Sequence, residues 1–467
     1  MPFPLDASHV MESLMTAMKQ SVVRSRASAK RRSALLAGCV AVVVAAATAC
    51  GGGTTGTNSK DGFNQVPQKS GALTVWVDST RLAAAKLYQK LHPDVKLDIV
   101  TYDGDANGSN YLQTKVQLFN RTGKGWPDVV FSSQNNEVTW AVDANFAAPL
   151  NKGLVPAQTL GKFAKGANDV CTVGGTVYCL RNDLSQAVLW YNAPLMKQFG
   201  YTVPTTWEEY QQLGEKVAAE HPGYLVGDAG DSFTPEIYLW AGKCGANHIT
   251  GAKSVSVNTT SAACTKMAAL MDVLIKKKSM SISGVFSTDF GKNKAGKVLM
   301  MPGPSWYGGA LFKGTFKTPA KQIAAAPIPQ WSGETSPSTG NVGGGTWLLS
   351  QHSEHIKAAT DFITWVTTDD AYQGKVAPGF PAYAPAAETW LKEQNASGYF
   401  AGDIHVLKDA STQVWPGWGS GQFSQEAIWA ATVKPGLTQG KSIVSLLPAW
   451  QDSIIKYAKS NGYKVSQ

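Results

Sequence analysis

The order of apolar runs predicts a mixed α/β protein built from open sheets flanked by helices. Three observations carry this reading. Strand-like and helix-like segments alternate from residue 72 onward, which is how an open α/β sheet begins. About 410 residues follow an N-terminal apolar run, enough for two domains or one bilobed unit. After that run nothing approaches transmembrane length, so this part folds in water.

The elements follow in order. Ala72 to Asp78 (ALTVWVD) is apolar and β-branched, a buried strand. Arg81 to Leu91 carries Leu82, Ala85, Leu87 and Leu91 at helical spacing and ends at His92-Pro93. Val95 to Val100 is a second strand, Tyr111 to Phe119 a helix and Asp128 to Phe131 a third strand. A hairpin occupies Cys171 to Leu180, and Ala187 to Tyr191 is a strand. Thr206 to Glu220 and Ser261 to Lys278 are helices, the second ending in lysines that suit its C-terminal dipole. Lys297 to Met301, Ile323 to Ile328 and Gly343 to Leu349 read as strands. His355 to Thr367 and Ile443 to Ser460 are the last helices.

The N-terminus obeys other rules. A basic stretch, Arg24 to Arg32, precedes the apolar run Ala34 to Ala49, and small residues lead to Cys50. This is the pattern of a secretory signal peptide. Gly51 to Ser70 is a polar, glycine-rich tether. A diacylglycerol on the Cys50 thiol would hold the mature protein to the outer face of the membrane. Leu36-Ala37-Gly38-Cys39 spells the lipidation motif better, but too few apolar residues precede Cys39 and an apolar run follows it. Cys50 is therefore the expected lipidation site.

Before Cys50 basic residues outnumber acidic ones by four, so the mature part keeps +5 of the formal +9. A mild excess with no arginine-rich block argues against nucleic acid. Apart from Cys39 and Cys50, Cys171, Cys179, Cys244 and Cys264 remain, an even number that in an exported chain reads as disulfides. A three-residue loop Gly174 to Thr176 would set Cys171 opposite Cys179. A two-residue Gly174-Gly175 turn would set it opposite Tyr178. Cys244–Cys264 follows by elimination. There is no CxxC, and the seven histidines are scattered, so no metal is expected.

Fifteen tryptophans are many for this length. Tryptophan serves large-area packing or flat contact with a ring, and sugars offer flat C–H faces. Trp306 and Tyr307 lie in Gly303 to Gly309, and Trp415 and Trp418 in a similar Gly/Pro-rich stretch, where a ligand platform is the more natural role. Trp240 reads either as cleft lining or as a buried helix face. Trp76, Trp190, Trp207 and Trp365 sit in elements and read as packing. Asp78 and Ser79 follow a strand and precede a helix, the usual ligand edge of an open sheet. Ser133, Gln134 and Asn135 follow another strand, with amides and hydroxyls that suit sugar hydroxyls. Helix capping or a turn is the alternative for both loops.

Five motifs occur in order: WPDVVF at Trp126; LWYN at Leu189 followed by PTTWEE at Pro204; GKVLMMPGPSW at Gly296; APIP at Ala326 with a Gly-Gly turn after it; and GKS at Gly440 opening the last helix. In order and spacing the chain resembles the extracytoplasmic solute-binding proteins of ABC importers, the large sugar-binding family that includes the maltose-binding protein. The resemblance implies a two-lobed periplasmic-binding-protein fold, each lobe an open sheet flanked by helices, joined by a hinge. It implies a signal peptide over 1–49, a tether over 50–70, one lobe from 71–183 and 341–378, the other from 184–340 and 379–440, and a C-terminal helix over 441–467 packing on the lobes. It places a hinge crossing near Asn182 to Ser185, with Asp183 as a hinge carboxylate that binds sugar hydroxyls; an ion pair is the alternative. It puts ligand-facing loops after Val77, after Phe131, and around Trp306 and Trp418. In the family the second of these loops often brings an aromatic and a carboxylate, and this chain has neither until Glu137. The implied protein is a monomeric receptor without catalysis or cofactor. Its partners are a sugar or oligosaccharide and the subunits of an ABC permease. The rivals are a receptor for another polar solute, a surface adhesion module and a secreted carbohydrate-active enzyme, which needs two carboxylates facing one bond.

Overall fold

The computed structural model describes residues 61–467, so the apolar run, Cys39 and the expected lipidation site Cys50 lie outside the described residues. Along the chain run β1 (Leu73–Val77), α1 (Leu82–Leu91), β2 (Leu97–Thr101), α2 (Tyr111–Thr122), β3 (Val129–Ser132), β4 (Cys179–Arg181), β5 (Ala187–Asn192), α3 (Trp207–Glu220) and α4 (Ala262–Lys276). Then come β6 (Met300–Pro304), β7 (Ile323–Ala326), β8 (Thr346–Leu349), α5 (Ile356–Thr368), α6 (Gln425–Thr432) and α7 (Ile443–Ser460).

The first lobe is built on one sheet in the order β2-β1-β3-β8-β4. β1 runs parallel to β2 and β3, while β8 returns antiparallel between β3 and β4. Its central strands β1 and β3 are buried along both faces, as in a sheet covered on both sides. Leu73, Val75 and Val77 face one core with Val129, Phe131, Trp347 and Leu349. Trp76, Val130 and Leu348 face a second core on the other side. This is the two-residue period of a strand, read twice.

The second lobe has β5 at the centre of a three-stranded sheet, antiparallel to β6 and β7. Trp190 is paired with Met301 on one side and Ala325 on the other, and lies fully buried. The expected strand Lys297 to Met301 is displaced. β6 begins at Met300 and continues through Gly303 and Pro304, which pair with Val188 and Ala187. Pro304 has no N–H to give, which an edge strand tolerates. A capping box opens α3: Thr206 accepts from the Glu209 N–H, and Glu209 reaches back to the Thr206 N–H. α7 packs against α4 and α6 in this lobe's core.

The chain passes between the two cores three times, near 182–186, 340–345 and 379–383. These segments lie side by side. The Asp183 N–H donates to Gly344 O at 3.2 Å and the Val342 N–H to Ser185 O at 3.0 Å. Phe380 and Pro381 pair with Leu184 and Asp183.

The structure contains both disulfides. In the hairpin Thr172 pairs with Val177 and Val173 with Thr176, so Gly174-Gly175 is a two-residue turn, both glycines at positive φ. Cys171 thus lies opposite Tyr178, and the bridge to Cys179 runs diagonally with the Cα atoms 5.0 Å apart. Cys244 and Cys264 are joined with the Cα atoms 4.3 Å apart, fastening the approach to α4.

Candidate ligand-binding cleft between the lobes

The two lobes meet across a cavity. Its first-lobe wall is the loop after β3, Ser133 to Asn136. Its second-lobe wall brings Glu236, Trp240, Asn247, Trp418, Phe423, Gln425 and Glu426 together, with Gly343 of the hinge at the edge. The free volume is about 30 Å³. That is space for one or two waters, far below the ~300 Å³ of a small-molecule pocket. The lobes are also in direct contact. Gly108, at φ +75°, lies so near α6 that a Cβ there would come within 2.6 Å of the Ala427 Cβ. Lys253 of the second lobe reaches Asp143 of the first at 3.1 Å. A sugar ring therefore enters only if the lobes part.

Each wall is positioned by its elements. The loop at Ser133 leaves the C-terminal end of β3, and the Ser133 hydroxyl donates to Gly104 O at 2.7 Å. Asn135 Nδ2 donates to Gly343 O at 3.2 Å, and its Oδ1 accepts from the Arg181 guanidinium. On the other wall the rings of Trp240 and Trp418 stand 4.9 Å apart at 43°. Trp418 Nε1 donates to Cys244 O and Trp240 Nε1 to Trp415 O, both at 2.7 Å. Those bonds hold the indoles and leave their faces for packing.

Several polar atoms of this wall have no partner among the described residues. They are Glu236 Oε2, Asn247 Oδ1 and both amide atoms of Gln425. Asn247 is 2% exposed and Gln425 6%. Buried polar groups are normally satisfied, because leaving one unpaired costs ~1–3 kcal/mol. Orphans gathered in one cavity are therefore poised to bind a polar molecule.

The cavity gathers Ser133, Gln134, Asn135, Trp240 and Trp418 of the residues expected from sequence. Others lie outside its wall. The Asp78 carboxylate accepts from the Arg81 N–H at 2.7 Å, as a cap does, and Ser79 is exposed. Asp183 is buried in the hinge, where its Oδ1 accepts from Arg81 at 3.1 Å and from Asn182 Nδ2 at 2.5 Å. Its Oδ1 is thus engaged within the protein. Trp415 packs its ring over Gly417. Trp306 is half-buried beside Phe286 and donates to Val342 O at 3.1 Å. Tyr307 corrects the loop reading. It begins a wide helical turn over Tyr307–Thr315 and is buried against Gly303. The glycines there serve close packing: a Cβ on Gly308 would meet the Trp190 ring at 2.6 Å.

Glu236, Asn247, Gln425 and Glu426 were not singled out from sequence. Glu236 and Gln425-Glu426 each open a helix, where an acid reads as a partner of the dipole. Nothing local marks them as facing a cleft.

Glu137 does not line the cavity. It is buried in the first lobe with Oε1 accepting from Gln113 at 3.0 Å. Burial, then the neighbouring Asp105, pushes its carboxyl up to about 8. The folded state therefore holds a proton that the unfolded chain loses near the usual carboxylate range. Stability should fall as pH rises from about 4.5 to about 8 and level off above. Glu137→Gln, which mimics the protonated form, should flatten this slope, gaining at most a few kcal/mol at pH 8. Urea unfolding from pH 5 to 9 measures it, and an unchanged slope in the variant refutes it.

Comparison with known proteins gives consistent results. The family model described as bacterial extracellular solute-binding protein matches residues 75–373. A lactose-binding protein of Rhizobium radiobacter is 24% identical over 407 residues, covering 82% of this chain and 92% of that one. The galacto-N-biose/lacto-N-biose I-binding protein of an ABC transporter from Bifidobacterium longum superposes with a TM-score of 0.70 at 20% identity, covering 85% of this chain and 100% of that one. An ABC transporter associated binding protein from B. animalis subsp. lactis, bound to β-1,6-galactobiose, superposes with a TM-score of 0.70 at 21% identity, covering 85% and 99%.

Proposed function

The chain belongs to the bacterial extracellular solute-binding protein family, and from that premise we propose that it is a lipid-anchored receptor that captures a sugar or oligosaccharide between its lobes and hands it to an ABC permease. The observation that carries the ligand class is the cavity wall. Two tryptophan faces stand beside a set of unpartnered amide and carboxylate atoms, with more amides and a hydroxyl opposite. Sugars need both: flat C–H faces for stacking and many hydroxyls for hydrogen bonds. The relatives described as binding lactose, lacto-N-biose and galactobiose support the same class.

In this reading the lobes part about the three hinge segments, the ligand enters, and closure excludes water. Closure strengthens each hydrogen bond by lowering the local dielectric. The anchor rests on the apolar run before Cys50 and the polar glycine-rich tether after it. No step of this function needs a cofactor.

Titration calorimetry of the purified protein against mono-, di- and trisaccharides, polyamines and short peptides tests the ligand class. A saccharide should bind with a dissociation constant in the micromolar range or below and should shrink the radius of gyration. Binding of a peptide or polyamine with no saccharide response would refute it.

A further inference from the structure

We propose that Asp143, Gln422 and Lys253 form a latch that holds the two lobes together beside the cavity. The inference rests on the lobes parting, as the function above requires, and not on what the cavity binds. Val138 and Ala141 fix the segment before Asp143 in a core of the first lobe, while Val255 and Phe423 fix the neighbours of Lys253 and Gln422 in the core of the second. Lys253 Nζ stands 3.1 Å from Asp143 Oδ2. Gln422 lies between the two charges. Its Nε2 donates to Asp143 Oδ2 and, at 3.4 Å, to Thr139 O, and its Oε1 accepts from Lys253 Nζ. Each of the three residues thus contacts the other two, and both contacts of Asp143 cross from lobe to lobe.

The latch and the cavity share their segments. Asn136 of the cavity wall precedes the helix Glu137–Asp143, whose last residue is Asp143. Gly421 and Phe423 of the wall flank Gln422. Asn247 of the wall leads into the strand His248–Gly251, and Lys253 turns the chain from it into Ser254–Ser256. Making the latch therefore draws the two cavity walls together, which adds to the free energy of closure. Local structure gives no reason for the acid, since a negative charge at a helix C-terminus opposes the dipole. Lys253 is aimed by its own lobe, with Nζ 5.2 Å from the centre of the Tyr463 ring and 3.4 Å from Asn461 O. An exposed ion pair alone contributes little, and the side chains of Asp143 and Lys253 are 51% and 42% exposed. Gln422 changes this. It is 7% exposed and bonds a charge at each end, the stronger kind of hydrogen bond.

The test reads the distance between the lobes in the purified protein with no sugar added. One spin label on an exposed helical site of each lobe reports the closed and open populations by pulsed electron resonance. Asp143→Lys, which sets like charges face to face, should lower the closed-to-open ratio by about threefold or more. Its new charge suits that end of the helix, so the melting temperature should move by no more than a few degrees. Asp143→Asn, matched in shape, should shift the ratio in the same direction. Combining Asp143→Lys with Lys253→Asp restores opposite charges, and the Gln422 amide can turn to serve both. That exchange should recover the closed population. A wild-type protein without the closed distance, a distribution unmoved by both single substitutions, or an exchange as open as Asp143→Lys overturns the latch. The saccharide reading is judged separately, by the calorimetry above, and survives any of these results.

Discussion

Trp418→Ala should weaken saccharide binding at least tenfold and lower the melting temperature of the unliganded protein together. Trp418 borders the cleft, yet it is 5% exposed. Its ring packs on Trp240 at 4.9 Å and on Trp450 at 6.5 Å, and its indole N–H donates to the carbonyl of Cys244. Truncation removes the packing and strips a buried carbonyl of its donor. The stability cost should be ~3–5 kcal/mol. Losing the ring face should cost at least ~1.5 kcal/mol of affinity, about a tenfold rise in the dissociation constant. The sequence expectation was a loop platform that costs affinity and spares stability, so calorimetric melting separates the two accounts. Trp418→Phe keeps one aromatic ring but loses the donor and the second ring of the indole, and should fall between. A melting temperature unmoved in Trp418→Ala would mean that the indole does not support the wall.

Gly344→Ala should cost on the order of 4 kcal/mol, an unusually large effect for one methyl group. Gly344 sits in the hinge at φ +85°, where a side chain is strained. A Cβ there would lie 2.4 Å from Arg181 Nη2, 2.4 Å from Asp183 O and 2.7 Å from Ser185 Oγ. None of these can yield cheaply. Arg181 is fully buried and donates to Asp183 O at 3.0 Å, to Asn135 Oδ1 and to Gly343 O at 2.5 Å. Burial lowers its pKa to about 10 against the opposing pull of Asp183, and loss of any acceptor would leave an expensive buried charge. Gly333→Ala is the control. Gly333 has φ +91° but open space around it, so only the backbone term of ~1 kcal/mol applies. Equal costs for the two variants in urea unfolding would show that the crossing segments are not tightly packed.

Much of the architecture was written locally. The apolar, β-branched run ALTVWVD marked β1 as a buried strand, and the structure covers it with a core on each face. The helix expected over Thr206 to Glu220 is α3 with Thr206 as its cap, and Ile443 to Ser460 matches α7 end to end. The hairpin left two registers open, and only the paired backbone chose the two-residue turn. Tyr307 was misjudged because glycine and proline on its flanks suggested a loop. In the structure those glycines admit Trp190 and Tyr307 at close range.

By itself, then, the sequence determined the element order, the even cysteines and the general type of fold. Each depends on near neighbours: a two-residue or helical period, a cap, a turn signal. Only the tertiary structure decided which residues line the cavity between the lobes. Glu236 and Asn247 lie far from Gln425 in the chain and meet it on one wall of the cavity. Asp183, taken from its position for a ligand group, is instead bound to Arg81. The physical reason is that whether a polar atom is satisfied depends on what surrounds it. A residue's type sets what it can bond, and only the packing of distant segments leaves that bond unmade.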